Sequence, residues 1–147
     1  MDEQLLRPLV IMLVEDNAAD ERFFREILKE VPISTALTVA KDGDEALALL
    51  RTLSEDQNSL MPDVVCLDLL LPRKDGYEVL AELSADAKLR RLPVWIFVTE
   101  ETDFSKEILA RRGLVVAGHV LKPVAVETLT QLLRPYAEKR KSPPPQV

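Results

Sequence analysis

Three short segments of the chain are almost continuously apolar. They are Leu9–Val14, residues 64–71, where only Asp68 interrupts the run, and Val94–Val98. Each segment is far too short to span a bilayer. A continuous apolar run of this length is typical of a strand buried on both faces, which is how strands lie in a parallel sheet covered by helices. We therefore expect an α/β fold built on a parallel sheet.

Two weaker strand-like segments, 35–40 and 115–121, complete a regular alternation of strands and helices. An amphipathic helical stretch follows each of the five strands, at residues 18–30, 44–53, 77–85, 103–112 and 125–137. Five strand–helix repeats with right-handed crossovers predict a single doubly wound α/β domain over residues 9–137. Residues 1–8 would form an N-terminal extension. Residues 138–147, which are basic and proline-rich, would form a flexible tail.

The composition excludes several classes of function. One cysteine among 147 residues excludes an internal disulfide and a cysteine-based zinc site, and one histidine excludes a multi-histidine centre. The net charge of −6 argues against direct DNA binding, because neutralising phosphates requires a basic surface. The first thirty residues show no signal-peptide pattern, and no membrane-spanning segment is present, so we expect a cytoplasmic protein.

Polar residues stand at the ends of four predicted strands. Glu15 and Asp16 follow the first strand, Asp68 lies in the third, Thr99 follows the fourth and Lys122 follows the fifth. The carboxyl ends of parallel strands meet at one edge of the sheet, where ligands bind in such folds. Clustered carboxylates suit Mg²⁺, and a lysine and a hydroxyl beside the metal suit a phosphoryl group. One of the carboxylates could itself be the nucleophile and form an aspartyl phosphate.

These residues resemble those of a known family, the receiver domains of two-component response regulators of bacteria. The resemblance covers about residues 9–137 and includes five motifs in the family's order. They are Leu13-Val14-Glu15-Asp16-Asn17, Cys66-Leu67-Asp68-Leu69, Leu71-Pro72-Arg73-Lys74-Asp75-Gly76-Tyr77, Val98-Thr99 and Leu121-Lys122-Pro123. The resemblance implies a flavodoxin-like (βα)5 domain with helices on both faces of a five-stranded parallel sheet. The extended start of the first helix and the loop at 54–62 look most like stand-alone receivers that accompany bacterial phytochrome kinases.

The resemblance also implies the chemistry of the acidic residues. Asp68 would accept a phosphoryl group from the phosphohistidine of a sensor histidine kinase or a histidine phosphotransfer protein. Glu15, Asp16 and Asp68 would hold Mg²⁺ together with the backbone carbonyl of Leu70. The protein would then be a phosphoacceptor in signalling and not an enzyme, apart from catalysing its own phosphorylation and dephosphorylation.

Three further roles follow from the same resemblance. Lys122 would pair with Asp68 or with its phosphoryl oxygens, and the Lys122–Pro123 peptide bond would be cis. Thr99 would move to hydrogen-bond the phosphoryl group and so report its presence. Gly76 would supply an unusual backbone angle in the turn after the phosphorylation loop.

Four positions could modulate this chemistry. The residue after the switch threonine is usually small in the family, but here it is Glu100, which either repels the phosphoryl group or points to solvent. His119 stands where the family typically has Tyr or Phe that turns inward on phosphorylation; it is either that switch residue or an exposed polar residue at a strand start. Leu70, two residues after Asp68, cannot orient an attacking water, so we expect slow loss of phosphate. Glu101 could oppose that effect.

Three functions compete at this point. The first is a stand-alone phosphoacceptor receiver, whose short C-terminal remainder leaves no room for an output domain. Its output would be a phosphorylation-dependent protein contact, onward relay of the phosphate, or homodimer formation through the face of the fourth helix, fifth strand and fifth helix. The second is a phosphorylation-independent pseudo-receiver, which Glu100 and His119 favour. The third is an aspartyl-phosphate phosphatase, which Leu70 disfavours because that enzyme class expects an aspartate there.

Overall fold

Five parallel strands form one sheet, in the order β2-β1-β3-β4-β5, in the computed structural model of the protein, which describes residues 7–56 and 60–141. The strands are β1 Leu9–Val14, β2 Thr35–Ala40, β3 Val64–Asp68, β4 Val94–Val98 and β5 Gly118–Leu121. The predicted five-stranded parallel sheet is confirmed. Strand order reverses between β1 and β3, so ligands are expected at the carboxyl ends of these two strands.

Five α-helices connect and follow the strands. They are α1 Ala18–Glu30, α2 Gly43–Glu55, α3 Gly76–Ala85, α4 Lys106–Arg112 and α5 Val126–Lys141. Buried side chains form one core between the sheet and α2, α3 and α4, and a second core between the opposite face of the sheet and α1 and α5. No helix within residues 7–56 and 60–141 is both long enough and apolar enough to cross a membrane.

Two predicted helix boundaries differ from the structure by more than two residues. The stretch predicted as one helix over 103–112 is a 3-10 turn at Glu101–Asp103 followed by α4, because the side chain of Ser105 caps α4 by accepting a hydrogen bond from the Ile108 amide at 3.1 Å. The final helix continues to Lys141 and contains Pro135, so the first four residues assigned to the tail are helical. Residues 1–6 of the predicted extension and 142–147 of the predicted tail lie outside the described residues.

Gly76 is required for a reason other than the one predicted. It is the first residue of α3 and is not among the glycines with positive φ, so the expected unusual backbone angle was wrong. A Cβ atom at Gly76 would lie 2.9 Å from the Leu69 Cα atom and 3.2 Å from the Asp68 carbonyl oxygen. The absence of a side chain therefore lets α3 begin directly against the end of β3.

Gly76→Ala is expected to lower the free energy of unfolding by about 1–3 kcal/mol, because the new methyl group would meet fixed backbone atoms. The measurement is urea unfolding at equilibrium. Ser84→Ala, at an exposed position of the same helix, is the control and should be nearly neutral. Equal stability of the Gly76→Ala variant and the wild type would show that the helix start can move to make room.

Candidate functional site

Three carboxylates meet at the carboxyl ends of β1 and β3. The register of the sheet pairs Val14 with Leu67, which brings the next residues, Glu15 and Asp68, side by side. One carboxylate oxygen from each of Glu15, Asp16 and Asp68 lies within 4.8 Å of the others. Glu15 and Asp68 are buried, whereas Asp16 is exposed. Strand pairing thus places two acidic groups at the switch point of the sheet.

The cap of α1 leaves the Asp16 carboxylate unused by the helix. Asn17 is the residue that caps α1. Its Oδ1 atom accepts hydrogen bonds from the amides of Ala19 at 2.9 Å and Asp20 at 3.0 Å. The exposed Asp16 carboxylate therefore remains available beside the carboxylates of Glu15 and Asp68.

Lys122 places its ammonium group beside the carboxylates of Glu15 and Asp68. Its ammonium donates to Glu15 Oε1 at 3.0 Å, Asp20 Oδ2 at 2.9 Å and Asp68 Oδ2 at 3.3 Å. The backbone amide of Lys122 donates to the carbonyl of Val98 at 2.7 Å, which fixes the residue at the end of the sheet. The Lys122–Pro123 peptide bond is cis, as expected.

Asp20 was missed by the sequence analysis. It lies in the first turn of α1 and not at a strand end, and its partner Lys122 is 102 residues away along the chain. The sequence did carry a signal, because α1 begins two residues after Asp16 and an acidic side chain in its first turn must lie near the same edge of the sheet.

Thr99, Leu70 and Glu100, which the sequence also indicated, lie just after the ends of β3 and β4. Thr99 is exposed at the end of β4, where it lines a cavity of about 450 Å³ together with Glu15 and Lys122. The amide of Leu70 donates to Asp68 Oδ1 at 3.1 Å, while the Leu70 side chain is 57% exposed. The amide of Glu100 donates to Asp103 Oδ2 at 3.1 Å, and Glu100 is exposed.

His119 and Glu101 contact each other. His119 Nε2 and Glu101 Oε1 form a hydrogen-bonded pair, and the imidazole stacks on the Phe104 ring with centroids 4.0 Å apart and planes 11° apart. Glu101 is therefore engaged with β5 through His119, and the two residues join the segment after β4 to the neighbouring strand.

Comparison with known proteins identifies the family. The model of the response regulator receiver domain matches residues 11–134. The chain belongs to the response regulator receiver family. Receiver domains of this family act in two-component signalling, and their sheet of five parallel strands is the one described above.

Response regulator Rcp1, whose structure is known, is similar to this protein along most of the chain. Response regulator Rcp1 of Synechocystis sp. is 36% identical over 134 residues, which cover 91% of this chain and 90% of Rcp1. The Mn²⁺-bound form of Rcp1 matches with a TM-score of 0.66 at 37% identity, over 87% of this chain and 91% of that one.

Two further solved receivers are similarly close. The bacteriophytochrome response regulator AtBRR matches with a TM-score of 0.73 at 31% identity, covering 87% of this chain and 91% of its own. The phosphorylated cyanobacterial phytochrome response regulator RcpA matches with a TM-score of 0.69 at 36% identity, covering 92% and 96%. The predicted resemblance to receivers that accompany phytochromes is confirmed as similarity.

The charges of this receiver site are unbalanced without a cation. Four carboxylates, those of Glu15, Asp16, Asp20 and Asp68, face the single ammonium of Lys122. Burial and a hydrogen bond with Asp68 raise the pKa of Glu15 to about 7. Burial alone would lower the pKa of Lys122, but the hydrogen bonds that Lys122 donates to Asp20 and Glu15, together with the charge of Asp68, hold this pKa above its usual range. A proton retained on Glu15 therefore replaces part of the missing positive charge.

The donor set fits a divalent cation with hard oxygen ligands. Three carboxylate oxygens lie within 4.8 Å of one another, and one of them belongs to the exposed residue Asp16. Mg²⁺ typically takes few protein ligands and keeps several waters, which this arrangement allows. Such an ion would displace the proton that the Glu15 carboxyl retains because of its raised pKa.

Without metal, the Glu15 carboxyl should stabilise the fold at low pH. Its pKa is about 7 in the folded state against an ordinary 4.5, so the folded protein holds a proton that the unfolded chain releases. This stabilisation is complete below about pH 4.5 and is lost as the pH rises through 7. The free energy of unfolding of wild type relative to Glu15→Gln should fall by about 2–3 kcal/mol between pH 5 and pH 8.

Urea unfolding of both proteins in a chelator, at several pH values, measures this difference. The same series with excess Mg²⁺ serves as a control, in which the fall should shrink because a bound cation keeps Glu15 deprotonated. A difference that stays constant with pH would mean that the folded state leaves the pKa of Glu15 unchanged.

Proposed function

We propose that this receiver accepts a phosphoryl group on Asp68 from the phosphohistidine of a sensor histidine kinase or a histidine phosphotransfer protein. The observation that carries the proposal is the placement of Asp68. Its buried carboxylate ends β3 at the switch point of the sheet, within hydrogen-bonding distance of Lys122 and beside Glu15 and Asp16. The Mn²⁺-bound Rcp1 and the phosphorylated RcpA, both above 30% identical, support the same chemistry.

The group transfer follows from the carboxylate and its neighbours. An Asp68 oxygen attacks phosphorus, the bond between phosphorus and the donor imidazole nitrogen breaks, and its electron pair stays on that nitrogen. The amide of Leu70, which donates to Asp68 Oδ1, holds the carboxylate in one orientation. Lys122 remains beside the acceptor and balances the charge that arrives with the phosphoryl group.

Mg²⁺ is the proposed cofactor. Glu15, Asp16, Asp68 and the backbone carbonyl of Leu70 would hold it. When bound, it neutralises phosphoryl oxygens during the transfer. The neutral fraction of Glu15 at physiological pH must be deprotonated first, so metal binding and proton release are coupled at this site.

Signal output would start from Thr99 and pass to the face formed by α4, β5 and α5. Thr99 lines the cavity next to Lys122, where its hydroxyl can approach a group on Asp68. His119, in β5, would respond through its contacts with Glu101 and Phe104, which must loosen before the ring can turn. The face would then contact a partner protein or a second copy of the chain in a homodimer. Direct DNA binding and membrane association are not part of this function.

Glu100 and Leu70 would set the lifetime of the phosphorylated state. The exposure of Glu100 supports the alternative in which its side chain points to solvent. Leu70, also exposed, offers no polar group to an attacking water. We therefore expect slow hydrolysis of the aspartyl phosphate.

Intact-mass spectrometry after incubation with a small-molecule phosphodonor tests the function. The protein should gain one phosphoryl group in the presence of Mg²⁺ and none in a chelator. A receiver known to be phosphorylated by the same donor provides the positive control. No gain in this chain under conditions that modify the control would overturn the proposal and favour the phosphorylation-independent pseudo-receiver.

A further inference from the structure

Lys122 has no donor left for a phosphoryl group in the described arrangement. An ammonium has three N–H donors. Three carboxylate oxygens lie around the Lys122 ammonium, at 2.9 Å for Asp20, 3.0 Å for Glu15 and 3.3 Å for Asp68. The longest of these contacts is the one to the proposed acceptor. A phosphoryl group on Asp68 must therefore displace one of the present partners.

Asp20 is the partner that can leave. The Glu15 side chain is 4% exposed and also accepts a hydrogen bond from the Asn17 amide at 3.3 Å, so it has no water to replace Lys122. The Asp20 side chain is 44% exposed and lines the open cavity of about 450 Å³ beside Lys122. Water can solvate Asp20 when the lysine turns away, at little cost to the protein.

We propose that Asp20 is a positioning residue that holds Lys122 in the unphosphorylated state and is exchanged for the phosphoryl group. This inference rests on the proposed function of Asp68. Asp20 thereby lowers the affinity of the site for a phosphoryl group in two ways. It competes for the ammonium of Lys122, and its carboxylate repels the incoming anion across that ammonium. Because of this competition, a smaller fraction of the receiver is phosphorylated at a given donor concentration than would be phosphorylated without Asp20.

Beryllofluoride, which mimics a phosphoryl group on a carboxylate, is the probe for this exchange. Asp20→Asn should bind beryllofluoride about three- to tenfold more tightly than wild type at saturating Mg²⁺, because one charged competitor for Lys122 is removed. Isothermal titration calorimetry on the full chain measures the dissociation constants. The affinity for Mg²⁺ alone, measured in the same way, should not increase, because Asp20 is outside the group of three carboxylates.

Two further variants separate positioning from a general change in charge or folding. Asp20→Glu keeps a carboxylate that can reach Lys122, so its affinity should return to within about twofold of wild type. Glu26→Gln removes one charge from the same helix at a residue that pairs with Lys29 and is not among the ion-pair partners of Lys122, so it should bind as wild type does. Matched unfolding curves for all variants show that each is folded.

The outcomes are distinguishable. Tight binding by Asp20→Asn, with recovery in Asp20→Glu and no change in Glu26→Gln, supports the exchange. Equal or weaker binding by Asp20→Asn, with wild type binding normally, overturns the inference and leaves the proposed function standing. Absence of beryllofluoride binding by wild type overturns both.

Discussion

Asp68→Asn is expected to abolish the Mg²⁺-dependent gain of a phosphoryl group. The amide has no anionic oxygen to attack phosphorus, and Glu15 cannot replace it, because the Glu15 carboxylate is buried and held by Lys122. The fold should survive, since the amide keeps an oxygen that can accept from the Leu70 amide. Intact-mass spectrometry with a small-molecule phosphodonor measures the loss.

A second aspartate provides the matched control. Asp86 lies at the end of α3 and accepts a hydrogen bond from the Lys88 amide at 2.9 Å, a contact that asparagine can also make. Asp86→Asn should be phosphorylated to the same extent as wild type. Undiminished phosphorylation of Asp68→Asn would move the acceptor to another residue.

Lys122→Met is expected to lower the free energy of unfolding by about 3–5 kcal/mol at pH 8 in the absence of metal. Methionine has a similar length but no charge. The substitution leaves the side chains of Glu15 and Asp68, which are 4% and 7% exposed, without their shared cation. Urea unfolding at equilibrium measures the effect.

The cause of this loss can be separated from lost packing. Lowering the pH to 6 should recover part of the stability, because protonation of Glu15 removes one of the unpaired charges, and Mg²⁺ at pH 8 should do the same. Lys29→Met, at an exposed lysine that pairs only on the surface with Glu26, should cost less than about 0.5 kcal/mol. Equal losses for the two lysines would show that Lys122 does not compensate buried charge.

The strands were the part of the fold that the sequence predicted best. Leu9–Val14 and Val94–Val98 have the predicted boundaries, because a strand buried on both faces must be apolar at every position and polar residues end it abruptly. Helix boundaries were predicted less accurately. The start of α4 depends on the side-chain cap of Ser105, and α5 continues past residue 137 despite Pro135 within it. Such local contacts compete with periodicity and often override it.

Strand ends also predicted most of the candidate site, because parallel strands bring their carboxyl ends to one edge. That rule placed Glu15, Asp68 and Lys122 together before the structure showed their distances. It could not find Asp20, which reaches the site from a helix. Nor could it show that His119 is held by Glu101 and Phe104, since that contact depends on how the segment after β4 packs against β5.

Chemical trapping of the phosphorylated residue tests the central claim most directly. Borohydride reduces an aspartyl phosphate to homoserine, so peptide mass spectrometry after phosphorylation and reduction locates the acceptor. The proposed function predicts homoserine at position 68, formed only when Mg²⁺ was present during phosphorylation. Homoserine at position 16 or at another acidic residue, with Asp68 intact, would contradict it.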